Sequence, residues 1–288
     1  MLVSERIGQL FVESDGGRDR LEYTEYGSGG DWVVLLPGLL MPRRMQQPLA
    51  RAMAAQGLHV VTLDLLGHGR SDQPADPLVY STSSFGEQVV VLLDHLGADQ
   101  AVIGGTSLGA NVALEVAVVA PERVRGLVVE MPVLDNALVA GVLAFVPIML
   151  AARYVPVVAD TVQRTARSVP RGLVPFWAGV LLDTVDHRAD SLASVLHGVI
   201  FGRIAPSSSQ RRRIAAPVLV VGHPVDPFHP FVDVDMLAAE LPDVRVERAS
   251  SVLEWRLRPE RLTAAASDFA VACWQDATTT RRARLRKR

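Results

Sequence analysis

Residues 101–113, AVIGGTSLGANVA, constrain the fold of this chain more than any other stretch. Val102 and Ile103 close a short apolar run of the kind that forms a buried strand. Gly104, Gly105 and Gly109 then surround Ser107 in a tight turn, and from Leu108 onward the spacing is helical. A strand that passes straight into a helix through G-x-S-x-G holds its serine in a strained conformation, which requires small neighbours. Ser107 Oγ would project into the crevice beyond the strand ends, where the Leu108 N–H and the start of the helix favour negative charge. A five-residue pattern also fits an ordinary strand–helix connection, so the rest of the chain has to decide.

Strand-like and helix-like segments alternate on both sides of this turn. Residues 9–13 and 21–26 read as strands joined by SDGGRD, whose Asp-Gly step signals a hairpin. Residues 32–36 and 58–63 are continuously apolar, as strands covered on both faces are. Helical spacing follows each, at about 44–56 and 85–96, and a further strand lies at 126–130. The alternation predicts an α/β fold with a mostly parallel sheet and helices on both faces. From about Val133 the pattern turns helical for some 75 residues, broken by prolines 147, 156, 170 and 175. Strands resume at 217–221 and 244–248, with helices at about 234–240 and 259–274. The expected organisation is a core of residues 1–132 and 213–276, a helical cap of residues 133–212 after strand six, and a basic disordered tail at 277–288.

Composition bounds the partners. At 288 residues with 49% hydrophobic and 21% charged content, the chain can bury a large core. A formal net charge of -2 gives no reason to expect nucleic acid. Lys287 is the only lysine, which reads as a habit of composition. The tail holds six basic residues among its last eight, most simply a solvated end. The single Cys273 excludes an intramolecular disulfide or a zinc cluster and fits a reducing, cytoplasmic setting. Glu5 and Arg6 interrupt any secretory signal. The longest run without charged or polar side chains, residues 137–152, is shorter than the roughly 20 residues a spanning helix needs. It reads as a buried or pocket-lining helix, without stable membrane insertion. Nothing in the sequence excludes a homo-oligomer.

Four features together resemble the α/β-hydrolase fold family. The first is GTSLG, which by that resemblance places Ser107 as nucleophile between the elbow glycines Gly105 and Gly109. The second is PGLL after the third strand, which implies an oxyanion hole formed by the Leu39 and Leu108 N–H groups. The third, DLLGHGRSD at residues 64–72, resembles a structural turn of the family and gives His68 a packing role. The fourth, PVLVVGHPVDPFHP, resembles the acid segment and assigns Asp226 as triad acid, four residues before Pro230. The family's eight-stranded sheet with a cap after strand six is the fold this implies. Asp135, just after the sixth strand, is an alternative acid.

The chain departs from the family where the triad histidine belongs. The segment ERASSVLEWRLRPERL carries Ser250 and Ser251 there, and no histidine follows His229. Loss of the histidine in a serine hydrolase costs about 10^6 in turnover. A replacement must come from the other histidines. His59 and His95 sit at element ends and read as structural, while His187 and His197 lie in the cap. His229, three residues beyond Asp226 on the same loop, is the leading substitute and His223 the alternative.

Two readings follow. One is a serine hydrolase of an apolar ester, thioester or lactone, needing no metal or cofactor, with Phe145, Phe176 and Trp177 in the cap as apolar contacts. The other is a binding or sensing module that has lost its base.

Overall fold

The computed structural model describes residues 3–14 and 17–285. The first half of the chain forms strands β1 (Glu5–Ser14), β2 (Gly17–Tyr26) and β3 (Trp32–Leu36), helix α1 (Gln47–Ala55), β4 (His59–Asp64) and α2 (Thr82–Leu96). It continues with β5 (Ala101–Thr106), α3 (Leu108–Val119) and β6 (Val124–Glu130). Five helices follow: α4 (Leu138–Tyr154), α5 (Pro156–Ser168), α6 (Phe176–Thr184), α7 (Ala189–Phe201) and the short α8 (Ser208–Arg211). The chain then returns through β7 (Val218–Gly222), α9 (Phe231–Glu240), β8 (Val244–Arg248), α10 (Glu254–Leu257) and α11 (Glu260–Leu285).

The eight strands form one sheet in the order β1-β2-β4-β3-β5-β6-β7-β8. β1 pairs with β2, and β2 with β4, antiparallel, while every other pair is parallel. Ser14 opposes Gly17 in the first hairpin, and the Asp-Gly residues of its turn lie outside the described residues. β4 and β5 are buried along their whole length because helices cover both faces. Side chains alternate between two layers. Val34, Ile103, Val129 and Val220 face the side closed by α2 and α3. Val33, Leu35, Val102 and Leu219 face the side closed by α1 and α11. Edge strand β8 carries Arg245, Glu247 and Arg248, and such charges discourage pairing with another sheet.

β3 is the topological switch point, since the chain leaves it to one side to make β4 and returns on its other side as β5. In open α/β sheets such a switch opens a crevice beyond the carboxyl ends of the strands. The turns after β3 and β5, which carry Leu39 and Ser107, both border it.

The helices inserted after β6 are not sealed off from the rest. Met149, Ala152, Val195 and Leu196 belong to the same apolar cluster as α2 and α3. α4 itself is mostly open, with only Met149 and Ala152 buried and with Val139 and Leu143 exposed. It is a pocket-lining helix and not a buried one. Among the described residues no single helix is long and apolar enough to cross a membrane, although α4 and α5 pass that test as a pair bent by 101°. The last helix extends to Leu285, past the 274 where its apolar spacing fades. Of the basic tail, the side chains from 276 and residues 286–288 lie outside the described residues.

Candidate active site

Ser107 stands between β5 and α3 with φ 56° and ψ -113°. This left-handed backbone is held by packing against glycine. A Cβ on Gly105 would lie 2.3 Å from the Gly109 carbonyl carbon, and one on Gly109 would lie 2.6 Å from the Leu36 and Pro37 oxygens. Only glycine lets strand and helix approach this closely. The Ser107 N–H donates to the Glu130 carbonyl (2.8 Å), and Ser107 O accepts from the Asn111 N–H (3.1 Å), so the turn is fixed on both sides. Four non-glycine residues among those described have positive φ: Leu40, Ser107, Met131 and Val225. They sit in the loop after β3, at Ser107, at the end of β6 and beside Asp226. Strain of this kind persists only where surrounding structure enforces it, and here it collects around one crevice.

The loop after β7 supplies the other two groups. His229 Nε2 lies 2.9 Å from Ser107 Oγ, and His229 Nδ1 lies 3.0 Å from Asp226 Oδ2. The second carboxylate oxygen, Oδ1, accepts from the Phe228 N–H (2.8 Å) and the His229 N–H (3.1 Å). One oxygen of Asp226 therefore shapes the loop while the other orients the imidazole. Burial works against the Asp226 charge, but the His229 hydrogen bond and the Phe228 N–H outweigh it and hold the carboxyl below its usual value. Asp226 and His229 are three residues apart on one loop and joined by two hydrogen bonds.

Ser107, Leu108, Leu39 and His229 all line a cavity of about 520 Å³. Leu108 opens α3, where a backbone N–H has no partner inside the helix. Most of the remaining wall is apolar, with Met41, Met131, Leu138, Val142, Phe145 and Ile148, while Thr106, Asn111 and Arg256 add polar groups. Of the aromatic cap residues named from sequence, only Phe145 lines this cavity. Phe176 packs under Arg44, with the guanidinium 5.3 Å from its ring, and Trp177 packs against Arg256 at 5.4 Å.

The alternative site residues lie elsewhere. Asp135 is exposed on the loop between β6 and α4 and does not line the cavity. His223 is buried behind the elbow, where both ring nitrogens are engaged, Nε2 by Glu130 Oε1 (3.1 Å) and Nδ1 by the Ser251 carbonyl (3.0 Å). The loop of Ser250 and Ser251, where the family's histidine was expected, is thus pinned by His223. His187 reaches only the Gly67 and Thr184 carbonyls. His197 is exposed against Phe201, and His68 is buried with Nδ1 at the Leu66 carbonyl.

Sequence reading missed Glu130. It is buried at the end of β6, where Thr106 Oγ1 (2.5 Å) and Arg256 (2.8 Å) donate to its other oxygen. Desolvation opposes its charge, yet Arg256 and His223 prevail and its carboxyl falls to about 2. A charge ending the apolar run GLVVE was the visible sign of such a network. Among the described residues no group of His, Cys, Asp and Glu is placed to hold a metal ion.

A family model of the alpha/beta hydrolase fold matches residues 31–243, and the chain belongs to that family. Among characterised relatives, a 2-hydroxymuconate semialdehyde hydrolase of Pseudomonas putida is 43% identical over 75 residues, 26% of this chain and 26% of that protein. A zearalenone hydrolase of Cladophialophora bantiana is 30% identical over 135 residues, 46% of this chain and 49% of that protein. The chain thus spans less than half the length of these relatives. Among solved structures, a hydrolase from Pseudomonas aeruginosa superposes with a TM-score of 0.74 at 22% identity, covering 91% of this chain and 97% of that one. The enol-lactonase from Burkholderia xenovorans superposes with a TM-score of 0.71 at 20% identity, covering 91% and 100%. At that identity the likeness is one of fold.

Proposed function

We propose that the chain is a serine hydrolase of an uncharged, apolar ester, thioester or lactone, in which His229 replaces the histidine missing near Ser250. The observation that carries this is the pair of contacts on one imidazole, 2.9 Å to Ser107 Oγ and 3.0 Å to Asp226. In this reading Ser107 Oγ attacks the carbonyl carbon and its proton passes to His229 Nε2. The Leu39 and Leu108 N–H groups hold the oxyanion, an interaction worth about 3 kcal/mol per donor in other enzymes. His229 then protonates the leaving alkoxide or thiolate. Water repeats the sequence in reverse on the acyl enzyme, with the same imidazole as base. Asp226 keeps Nδ1 protonated and steadies the imidazolium. Each step is acid–base and nucleophilic, so none asks for a metal or cofactor.

The apolar wall supports an apolar substrate, because its one cation, Arg256, is already paired with Glu130. The single cysteine, buried on α11 against Gly126, suits a reducing compartment such as the cytoplasm. A fluorophosphonate tests the reading directly: rapid labelling at Ser107 in the wild type and none in His229→Ala is expected, while His223→Gln keeps labelling. No labelling of the wild type at neutral pH would reduce the site to a ligand-holding pocket.

A further inference from the structure

Asp233 is a fully buried carboxylate on the first turn of α9, four residues after His229. It accepts four hydrogen bonds, all from the segment that leads into α4. The Leu134 N–H (2.9 Å) and Ala137 N–H (3.1 Å) donate to Oδ2, and the Asn136 N–H (3.1 Å) and Nδ2 (2.8 Å) donate to Oδ1. The N-cap residue of α4 is Ala137, whose side chain cannot cap the helix. The carboxylate of another element does so instead, and its charge suits the positive end of the α4 dipole. Asn111, four residues after Ser107, grips the same stem: its Nδ2 donates to the Val133 and Ile204 carbonyls (2.7 and 3.0 Å) and its Oδ1 accepts from the Val133 N–H (3.1 Å). Val133 enters the inserted helices and Ile204 follows the last long one, so both stems are tied to the helices adjoining nucleophile and base.

From this geometry we infer that Asp233 is a positioning residue that sets the α4 wall of the cavity against the Ser107–His229 pair, and so determines acyl-chain selectivity. The inference rests on the serine-hydrolase reading. Leu138, Val142, Phe145 and Ile148 of α4 line the cavity, and a long acyl chain has more apolar surface to place against them than an acetyl group has. Loss of the clamp therefore acts on long chains and spares short ones.

Asp233→Asn tests this with little change of shape, because its amide would place an NH2 group where two N–H donors now converge. With active sites counted by a short-chain fluorophosphonate, the ratio of kcat/KM for p-nitrophenyl octanoate to that for the acetate should fall about tenfold. The loss should appear in KM for the octanoate, with kcat for the acetate within threefold of wild type. A ratio within threefold of wild type overturns the inference, whatever happens to Tm, since a merely structural role lowers both substrates together. Should Asp233→Asn fail to fold, Asn136→Ala removes one donor, and its ratio should fall at least twofold; an unchanged ratio overturns the inference equally. If wild-type Ser107 does not label, the hydrolase reading is what fails. Amide exchange at Leu134, Asn136 and Ala137 then decides the clamp alone, with faster exchange in Asp233→Asn expected and unchanged exchange overturning it.

Discussion

The sheet and the inserted helices hold their positions by different physics. Around Ser107, β3, β5 and β6 are buried on both faces, and side chains such as Leu36, Ile103 and Val129 have no exposed surface. Displacing any of them would open cavities on two layers at once, at about 24 cal/mol per Å³ of void. α4, by contrast, leaves Val139 69% and Leu143 72% exposed. Beyond the Met149 and Ala152 contacts with the core, its stem is held by polar clamps from Asp233 and Asn111, and the neighbouring inserted segments by the Trp177 Nε1 bond to the Arg256 carbonyl (2.9 Å) and His187 on the Gly67 carbonyl. A rigid element is suited to chemistry that fails on an ångström of error. A helix held at a few points can be re-aimed by changing those points. In the proposed reading, reaction type belongs to the loops of the sheet and substrate choice to the inserted helices, and substitutions on either side should separate the two.

The largest expected effect lies on the sheet side. His229→Ala should lower kcat about 10^6-fold, and Asp226→Asn about 10^4-fold. Rates with a short and a long ester should fall together, unlike the split expected for Asp233. Turnover in His229→Ala within tenfold of wild type would remove the imidazole from the reaction.

Next comes the elbow itself. Gly105→Ala forces a Cβ to 2.3 Å from the Gly109 backbone, so strand and helix must separate. The expected cost exceeds about 3 kcal/mol, because backbone cannot rotate aside as a side chain can. Denaturant melts should show it, and labelling of Ser107 should fall with it.

These contrasts also mark how far the sequence was legible. The eight strands and the break after β6 could be read because buried strands and helices have different apolar periods, and GTSLG and PVLVVGHPVDPFHP occur at strand ends where the sheet places them. His229 was visible as the histidine nearest Asp226, but its contact with Ser107 depends on a loop turn that no periodicity encodes. Asp233, Asn111 and Glu130 were not legible as site residues. Each is an ordinary polar residue in an apolar helix or strand, and its side-chain partners lie 22 to 126 positions away. Phe176 and Trp177 look like pocket aromatics by composition, yet both are taken up by arginines, because a helix that is apolar all round does not reveal which face meets the cavity.

A third, smaller effect is pH dependence from behind the elbow. Burial lowers the His223 pKa, but the Glu130 hydrogen bond and charge, helped by the Ser251 carbonyl, raise it above 6.5 against the opposing charge of Arg256. A raised folded value means that stabilisation is complete below 6.5 and is lost as pH climbs through the folded value. Glu130, lowered from 4.5 to about 2, contributes fully above 4.5 and loses its contribution as pH falls toward 2. The pair is therefore at full strength between about pH 4.5 and 6.5. His223→Gln should have its largest deficit in Tm near pH 6, shrinking toward pH 9. A deficit that stays constant across that range would show that the pair is not charged.

The smallest effect should come from a glycine on the inserted side. Gly141 lies inside α4, and a Cβ there would meet nothing within 4 Å, the reverse of Gly105. Alanine in a helix interior is favoured over glycine by about 0.8 to 1 kcal/mol, partly because the unfolded chain loses freedom. Gly141→Ala should therefore raise stability by up to that amount. Because Gly141 lines the cavity, the added methyl should also cost octanoate more than acetate, by about threefold in KM. A stability gain with no change in chain-length preference would mean that α4 can move aside to admit the methyl, and that its wall is set less firmly than its clamped stem implies.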